Sequence, residues 1–128
     1  MLLLDTCALL WLVVGGRSLS PTARAAITAA DARLFVSAIS AFEIGVKNRR
    51  GALRLPMPPD RWYEEALTFH EIDEIPVDGR IAARSTVLPP LHADPCDRMI
   101  VATAQRDDLT VVTPDPLIKA YPRTLTLW

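Results

Sequence analysis

The hydrophobic and polar positions along this chain predict short buried strands that alternate with helices. A strand of a buried parallel sheet is typically a short apolar or β-branched run that ends at polar or turn-forming residues. Runs of this kind occupy residues 2–4, 34–36, 71–75, 109–113 and 124–128. Helical patterns lie between them, in segments 7–14, 21–30, 39–50, 62–69, 78–85, 95–106 and 116–121. The alternation predicts an α/β fold, a three-layer sandwich with a mostly parallel central sheet of four to five strands.

The helix predicted from Pro95 has a carboxylate at the head of its apolar face. The i, i+3, i+4 and i+7 spacing of core-facing residues occurs at Asp97, Ile100, Val101 and Ala104. A buried carboxylate is costly, so it requires a nearby cation, strong hydrogen-bond donors or a raised pKa. Asp97 is therefore a candidate functional residue.

A second predicted helix repeats this arrangement with a glutamate in its first turn. The same spacing recurs at Ile39, Phe42, Glu43 and Val46, which predicts that Phe42 also faces the core. Ser40 and Glu43 also match the Ser-x-x-Glu pattern of a capping box, in which the glutamate accepts a hydrogen bond from the backbone amide of the N-cap residue. The sequence leaves both roles of Glu43 open.

Two further acids, Asp5 and Asp115, closely follow predicted strands. In an open parallel sheet, the loops and helix N-termini after the strands converge at one edge, where ligands bind. Several carboxylates at one edge repel one another unless a cation offsets their charge, and hard oxygen ligands suit Mg²⁺ or Mn²⁺. The alternative is that each acid independently caps a helix, which contributes about 0.3–1 kcal/mol. The predicted metal ligands are Asp5, Glu43, Asp97 and Asp115.

Composition and charge restrict the classes of protein that fit. The chain has 128 residues, a formal net charge of −1 and a pI near 6.1, so only local patches or bound metal can attract a polyanion. The length fits a single domain over residues 1–128. No apolar run approaches the roughly 20 residues of a membrane span, and no basic segment precedes the apolar start. We therefore expect a cytoplasmic protein without a signal peptide.

The remaining polar residues have simpler interpretations. A solvated face is the usual role of a dense basic cluster, here Lys47, Arg49, Arg50 and Arg54. His70 and His92 lack neighbouring residues at metal-ligand spacing, which favours surface or hydrogen-bonding roles. Cys7 and Cys96 are too few and too far apart for a paired-cysteine zinc site, and we expect free thiols.

Four short segments together carry a family resemblance. They are Leu-Leu-Leu-Asp-Thr at 2–6, Val-Ser-Ala-Ile-Ser-x-x-Glu at 36–43, Asp-Pro-x-Asp-Arg-Met at 94–99 and Val-Thr-x-Asp at 112–115. Each is weak alone, but their order and spacing are specific and cover the chain from end to end. The chain resembles the PIN-domain ribonucleases, and most closely the VapC-type toxins of bacterial toxin–antitoxin pairs.

The resemblance implies a metal-dependent endoribonuclease that hydrolyses RNA phosphodiester bonds. One or two Mg²⁺ or Mn²⁺ ions would be held by the acidic quartet Asp5, Glu43, Asp97 and Asp115. The implied partners are an RNA substrate and a cognate antitoxin protein, with a homodimer and a hetero-oligomer with the antitoxin as the expected assemblies. An exposed apolar partner face could include Trp11, Trp62 and Leu67, with burial in the core as the alternative.

Four neighbours of the acids are candidates for supporting roles. The hydroxyl groups of Thr6 and Thr113 can hydrogen-bond the metal ligands or their waters. Asp94 is either a fifth ligand or the N-cap before a first-turn proline. Arg98 either contacts the RNA backbone or forms a structural ion pair.

Two other functions remain open at the level of sequence. An aspartate-nucleophile phosphatase would use Asp5 at a similar sheet edge, but such enzymes usually carry a second aspartate two positions later, where this chain has Cys7. A PIN-like binding module that has lost catalysis is the other alternative. The presence of all four acids argues against it.

Overall fold

A central sheet of five parallel strands organises the computed structural model, which describes all residues from 1 to 128. The strands are β1 (Leu2–Leu4), β2 (Leu34–Ser37), β3 (Ile72–Ile75), β4 (Thr110–Val112) and β5 (Thr126–Leu127). Their order across the sheet is β3-β2-β1-β4-β5, and every neighbouring pair is parallel. The predicted α/β fold with a parallel sheet is confirmed. Because β1 is the middle strand, the residues that follow it lie at the centre of the carboxyl edge.

Seven helices cover the two faces of this sheet. They are α1 (Thr6–Val14), α2 (Pro21–Thr28), α3 (Ile39–Arg49), α4 (Pro59–His70), α5 (Gly79–Thr86), α6 (Pro95–Asp107) and α7 (Pro116–Lys119). Asp60 was expected to cap α4 but lies in its first turn, because the helix already begins at Pro59. Glu71, predicted in a strand, ends α4 in the left-handed conformation with a φ of 53°. No helix in the structure has the length and hydropathy needed to cross a bilayer.

Alternate residues of the central strands pack into two separate cores, one on each face. Leu4 and Val112 belong to the core beneath α1 to α4, whereas Leu3 and Val111 belong to the core beneath α5, α6 and α7. All four side chains are fully buried. Strands that are buried on both faces explain the continuous apolar runs of the sequence and complete the predicted three-layer sandwich.

The apolar spacing of Cys7, Leu10, Trp11 and Val14 predicts a buried face for α1, as that of Ile39, Phe42 and Val46 does for α3, and each prediction is wrong at one position. Val14 is 77% exposed, because the cap at Asp5 sets the phase of α1 and turns Ala8 and Leu9 inward instead. Nearly every position of α1 is apolar, so the sequence pattern does not define one face. On α3 the fully buried residue is Ile44, and Phe42 is 62% exposed.

The apolar residues proposed for a partner face pack mostly inward. Trp62 is buried in the core beneath α4, and Leu67 packs against the same core. Trp11 stacks on Trp128 with the ring centroids 5.5 Å apart. The core alternative for these residues is therefore confirmed, and Trp11 contributes to holding β5 against α1.

Candidate active site

Four elements bring the predicted acids to the carboxyl edge of the sheet. Asp5 follows β1 and caps α1, and Asp115 follows the neighbouring strand β4 and caps α7. Glu43 lies on α3, the helix after β2, and Asp97 lies in the first turn of α6. Because β1 is hydrogen-bonded to both β2 and β4, these connections converge.

Asp5 is the most buried of the four acids, with a relative exposure of 4%. One carboxylate oxygen accepts the backbone N–H of Ala8 at 2.7 Å, and the other accepts the Thr113 hydroxyl at 2.5 Å. Burial raises the pKa of Asp5 to about 6, although both hydrogen bonds favour the charged form. The carboxylate of Asp5 therefore has a fixed orientation.

Thr113 connects Asp5 to Asp115. Its hydroxyl donates to Asp5 and accepts the backbone N–H of Asp115 at 3.0 Å. The Oδ1 atom of Asp115 then accepts the backbone N–H of Leu117 at 2.8 Å. The position of Asp115 is thus fixed by the end of β4 and the start of α7.

Thr6 connects the acidic cluster to α3. Its hydroxyl donates to Glu43 Oε1 at 2.8 Å, so the 2.9 Å contact with Ser40 is one in which Ser40 donates to Thr6. The second carboxylate oxygen of Glu43 lies 3.2 Å from Lys47 Nζ. The capping box proposed for Ser40 and Glu43 is wrong, because α3 starts at Ile39 and its N-cap residue, Ala38, makes no side-chain capping bond. Glu43 therefore lies in the second turn and points to the acidic cluster.

Asp97 has the most strongly perturbed carboxylate of the four. Burial and, to a smaller extent, the charges of Asp94 and Glu43 raise its pKa to about 7, whereas His92 opposes them. Its Oδ2 atom lies 3.0 Å from His92 Nε2, and its Oδ1 atom accepts no hydrogen bond within the chain. The predicted packing of Ile100 and Val101 beneath Asp97 is observed.

His92 lies inside the acidic cluster, which its sequence context did not indicate. Its side chain is only 10% exposed, and Nε2 lies 2.8 Å from Asp115 and 3.0 Å from Asp97. The other ring nitrogen, Nδ1, accepts the backbone N–H of Asp94 at 3.1 Å. The proton of a neutral ring must then be on Nε2, so His92 donates to Asp115, and Asp97 Oδ2 lies 3.0 Å from the same nitrogen. A donor in this position orients the ligands and is not itself a metal ligand.

Asp94 and Arg98 have structural partners in this region. Asp94 Oδ1 accepts the backbone N–H of Cys96 at 2.8 Å, as expected for the N-cap of α6. The guanidinium of Arg98 donates at 2.9–3.3 Å to one tyrosine hydroxyl and four backbone carbonyls, those of Ser85, Leu88, Pro89 and His92. The ion-pair alternative for Arg98 is wrong, because no carboxylate lies within 4 Å of it.

The residues of this cluster fit a hard divalent cation. Asp97 and Asp115 offer oxygen atoms within 4.8 Å of each other, and Asp97 Oδ1 has no donor. Hydrogen-bond donors fix the orientation of three of the four acids, which are Asp5, Glu43 and Asp115. Each carboxylate oxygen has two lone pairs, so an oxygen that accepts one hydrogen bond can still bind a cation. Carboxylate oxygens are the ligands that Mg²⁺ and Mn²⁺ prefer. Such an ion would offset the negative charge of the carboxylates, of which only Glu43 is paired with a lysine or arginine.

We expect the metal-free protein to lose stability as the pH rises from about 4 to about 7. Burial raises the pKa of Asp5 to about 6 and of Asp97 to about 7, from the ordinary value of 3.8. The folded chain therefore binds more protons than the unfolded chain in this window, and the free energy of unfolding falls with pH by roughly 2 kcal/mol. Thermal unfolding in EDTA at a series of pH values measures this. A midpoint that rises with pH across the window would contradict the assignment.

Comparison with known proteins agrees with the fold. The profile of the PIN domain family matches residues 2–123. The chain therefore belongs to the PIN-domain family, as its sequence resemblance predicted. Ribonuclease VapC22 of Mycobacterium tuberculosis is 33% identical to it, across 98% of this chain and 97% of that protein.

Solved structures with the same fold include chains from toxin–antitoxin assemblies. A toxin–antitoxin complex from Klebsiella pneumoniae contains a chain that is 25% identical, with a TM-score of 0.69 and coverage of 98% of this chain and 97% of that one. VapBC2 from Rickettsia felis, solved with a DNA fragment from its promoter, has a TM-score of 0.69 at 13% identity, with coverage of 98% and 96%. At 13% identity, the similarity to the Rickettsia felis chain shows a shared fold only.

Proposed function

We propose that this chain is a divalent-metal-dependent endoribonuclease and the toxin of a toxin–antitoxin pair. The observation that carries the proposal is the convergence of four acids at one edge of the sheet, where Asp97 has a carboxylate oxygen that accepts no hydrogen bond and burial raises its pKa to about 7. The similarity to a ribonuclease of the VapC type over nearly the whole chain supports RNA as the substrate. The proposed ligands of Mg²⁺ or Mn²⁺ are Asp5, Glu43, Asp97 and Asp115.

The chain's own residues would act by fixing the ligands and the reacting groups. A bound divalent ion would supply an activated water and offset negative charge at the scissile phosphate. Thr113 and the N–H of Ala8 hold Asp5 in one orientation, and Thr6 holds Glu43. His92 donates to Asp115 and lies 3.0 Å from Asp97, which places one oxygen of each carboxylate beside the same ring nitrogen.

The alternative of an aspartate-nucleophile phosphatase is disfavoured by the surroundings of Asp5. A nucleophilic carboxylate must be accessible to the phosphorus atom of the substrate, but Asp5 is only 4% exposed. Cys7 cannot supply the missing second acid, because burial raises the pKa of its thiol to about 11. A phosphoenzyme that is stable in acid and labile to hydroxylamine would revive this alternative.

The proposed biological setting follows from the relatives. The Klebsiella pneumoniae structure is a toxin–antitoxin complex, which supports a cognate antitoxin that binds and restrains this chain. We propose that residues 1–128 form one PIN domain, that the chain acts in the cytoplasm, and that it forms a homodimer and a hetero-oligomer with its antitoxin. Size-exclusion chromatography with light scattering measures both assemblies, first with the chain alone and then with the candidate antitoxin added.

Removal of metal is expected to stop RNA cleavage. Purified chain is incubated with cellular RNA in Mg²⁺, in EDTA, and in EDTA followed by excess Mg²⁺. We expect the rate to fall at least ~100-fold in EDTA and to recover when Mg²⁺ is restored, because the acids alone cannot activate water. Cleavage at an unchanged rate in EDTA would refute the metal-dependent mechanism.

A further inference from the structure

A cleft opens beside the acidic cluster, between α3 and the first turn of α6. Its volume is about 420 Å³, which lies within the usual range of ligand pockets, about 300–1,000 Å³. One wall is formed by Phe42, Val46 and Arg50 of α3, and Asp94 and Cys96 form part of the other. Glu43 also lines the cleft, so a chain-like ligand bound here continues directly to the acids.

Phe42 presents an aromatic ring to this cleft. It is 62% exposed, although a phenylalanine is usually buried. Phe42, Val46 and Arg50 occupy positions i, i+4 and i+8, so they form one row along α3. The structure thus combines an aromatic face and a cation in a single row next to the metal ligands.

The cation at the far end of the row is available to a ligand. Lys47 lies 3.2 Å from Glu43 and is therefore paired, whereas no carboxylate lies within 4 Å of Arg50. Eight residues at about 1.5 Å each separate Phe42 from Arg50 by about 12 Å along the helix. Phe42 and Arg50 therefore contact different parts of a ligand that lies along the cleft.

An exposed ring and an unpaired arginine match the chemistry of single-stranded nucleic acid. An unpaired base offers its face for stacking on an aromatic side chain, while an arginine pairs with the backbone phosphate. A duplex keeps its bases stacked and cannot use the ring in this way. The charge of Asp94 on the opposite wall is directed to the N-terminus of α6, which it caps.

We propose that Phe42 and Arg50 form a subsite for single-stranded RNA, in which an unpaired base stacks on Phe42 and a phosphate pairs with Arg50. This inference rests on the proposed function, because it takes RNA as the substrate. It adds the two side chains that would hold a base and a phosphate of that RNA next to the acids.

The test measures binding of a fluorescent single-stranded RNA of about twelve nucleotides by anisotropy. All proteins carry Asp97→Asn so that the RNA is not consumed, and Mg²⁺ is present throughout. Phe42→Ala and Phe42→Leu are each expected to raise Kd about tenfold, and Phe42→Trp is expected to retain the parent Kd, because only an aromatic face can stack. Phe69→Ala is the matched control, since Phe69 is 81% exposed on α4 and does not line the cleft.

Salt dependence separates the two contacts. Loss of one phosphate contact to a single strand lowers the slope of log Kd against log salt by about 0.7. Arg50→Ala is expected to show this reduction, whereas Phe42→Ala raises Kd without changing the slope. Arg54→Ala, which removes an exposed arginine outside the cleft, is expected to leave Kd and the slope close to those of the parent.

Several results would overturn the subsite. Equal Kd values for the parent and Phe42→Ala would overturn it. Full retention of affinity by Phe42→Leu would also overturn it, because any apolar side chain would then serve and no base would stack on the ring. The same dependence on Phe42 with the annealed duplex would also exclude it. If Phe42→Leu weakens binding of the antitoxin and leaves RNA binding unchanged, the cleft belongs to a protein partner. Binding that depends on Phe42, together with no RNA cleavage in Mg²⁺ by the chain that keeps Asp97, would keep the subsite and refute the nuclease.

Discussion

Asp97→Asn is expected to lower the rate of RNA cleavage in saturating Mg²⁺ by about 10³-fold. The amide keeps the shape of the carboxylate but removes the charge that would hold the metal ion, and with it the activation of water. Asp97 is the acid with an oxygen free of hydrogen bonds within the chain. Gel analysis of a defined RNA over a wide range of enzyme concentrations measures the loss.

The same variant separates a metal-binding role from a structural role. In EDTA at pH 7.5, Asp97→Asn is expected to unfold at the same or a higher urea concentration than the parent, because it removes a costly buried charge. It should also reduce the fall of stability with pH. The matched control is Asp107→Asn at the other end of α6, where the carboxylate pairs with Arg106, and which is expected to cleave RNA at the parent rate. Full activity of Asp97→Asn would mean that Asp97 is not a ligand.

Arg98→Ala is expected to destabilise the protein by about 3 kcal/mol. Its guanidinium donates to four backbone carbonyls and the Tyr121 hydroxyl, and these bonds hold the segment from Leu88 to His92 against α6. Removal of the side chain leaves several partly buried acceptors without a donor, and hydrogen bonds to charged groups are among the strongest. Urea denaturation of the parent and the variant measures the loss.

Two further variants define the role of Arg98. Arg98→Lys is expected to recover only part of the stability, because one ammonium cannot reach the acceptors that a planar guanidinium bridges. Arg106→Ala, on the same helix, removes only exposed salt bridges and is expected to cost less than ~1 kcal/mol. If Arg98→Ala is as stable as Arg106→Ala but binds RNA more weakly, then contact with the RNA backbone is its main role.

The sequence predicts that the acids lie at one edge of the sheet, because their positions follow from its topology. Asp5 and Asp115 come shortly after buried strands, and parallel strands end at one edge whatever the details of packing. Asp97 could be identified because Ile100 and Val101 define a clear apolar face below it. These are local patterns, and they locate each acid without knowledge of its final neighbours.

The residues that sequence patterns missed depend on contacts between distant segments. His92 reaches Asp115, 23 positions later, because the loop that carries it is held by Arg98, and neither contact has a periodic signal. The i, i+3 spacing from Ile39 predicts that Phe42 faces the core. In the structure Phe42 is 62% exposed and lines the cleft. Periodicity identifies side chains that share a helix face, but it does not show whether that face packs on the sheet or borders a cleft.

The hydrogen bond from Thr113 to Asp5 has a consequence for how the protein is made. It joins residues 108 positions apart, and it can form only after β4 has paired with the first strand of the chain. A growing chain on the ribosome therefore holds β1 with one edge unpaired, and Asp5 without its partner, until β4 and Thr113 have been made. Asp115 is added later still. The proposed nuclease thus completes its cluster of acids only after α7 has been made, because Asp115 caps that helix.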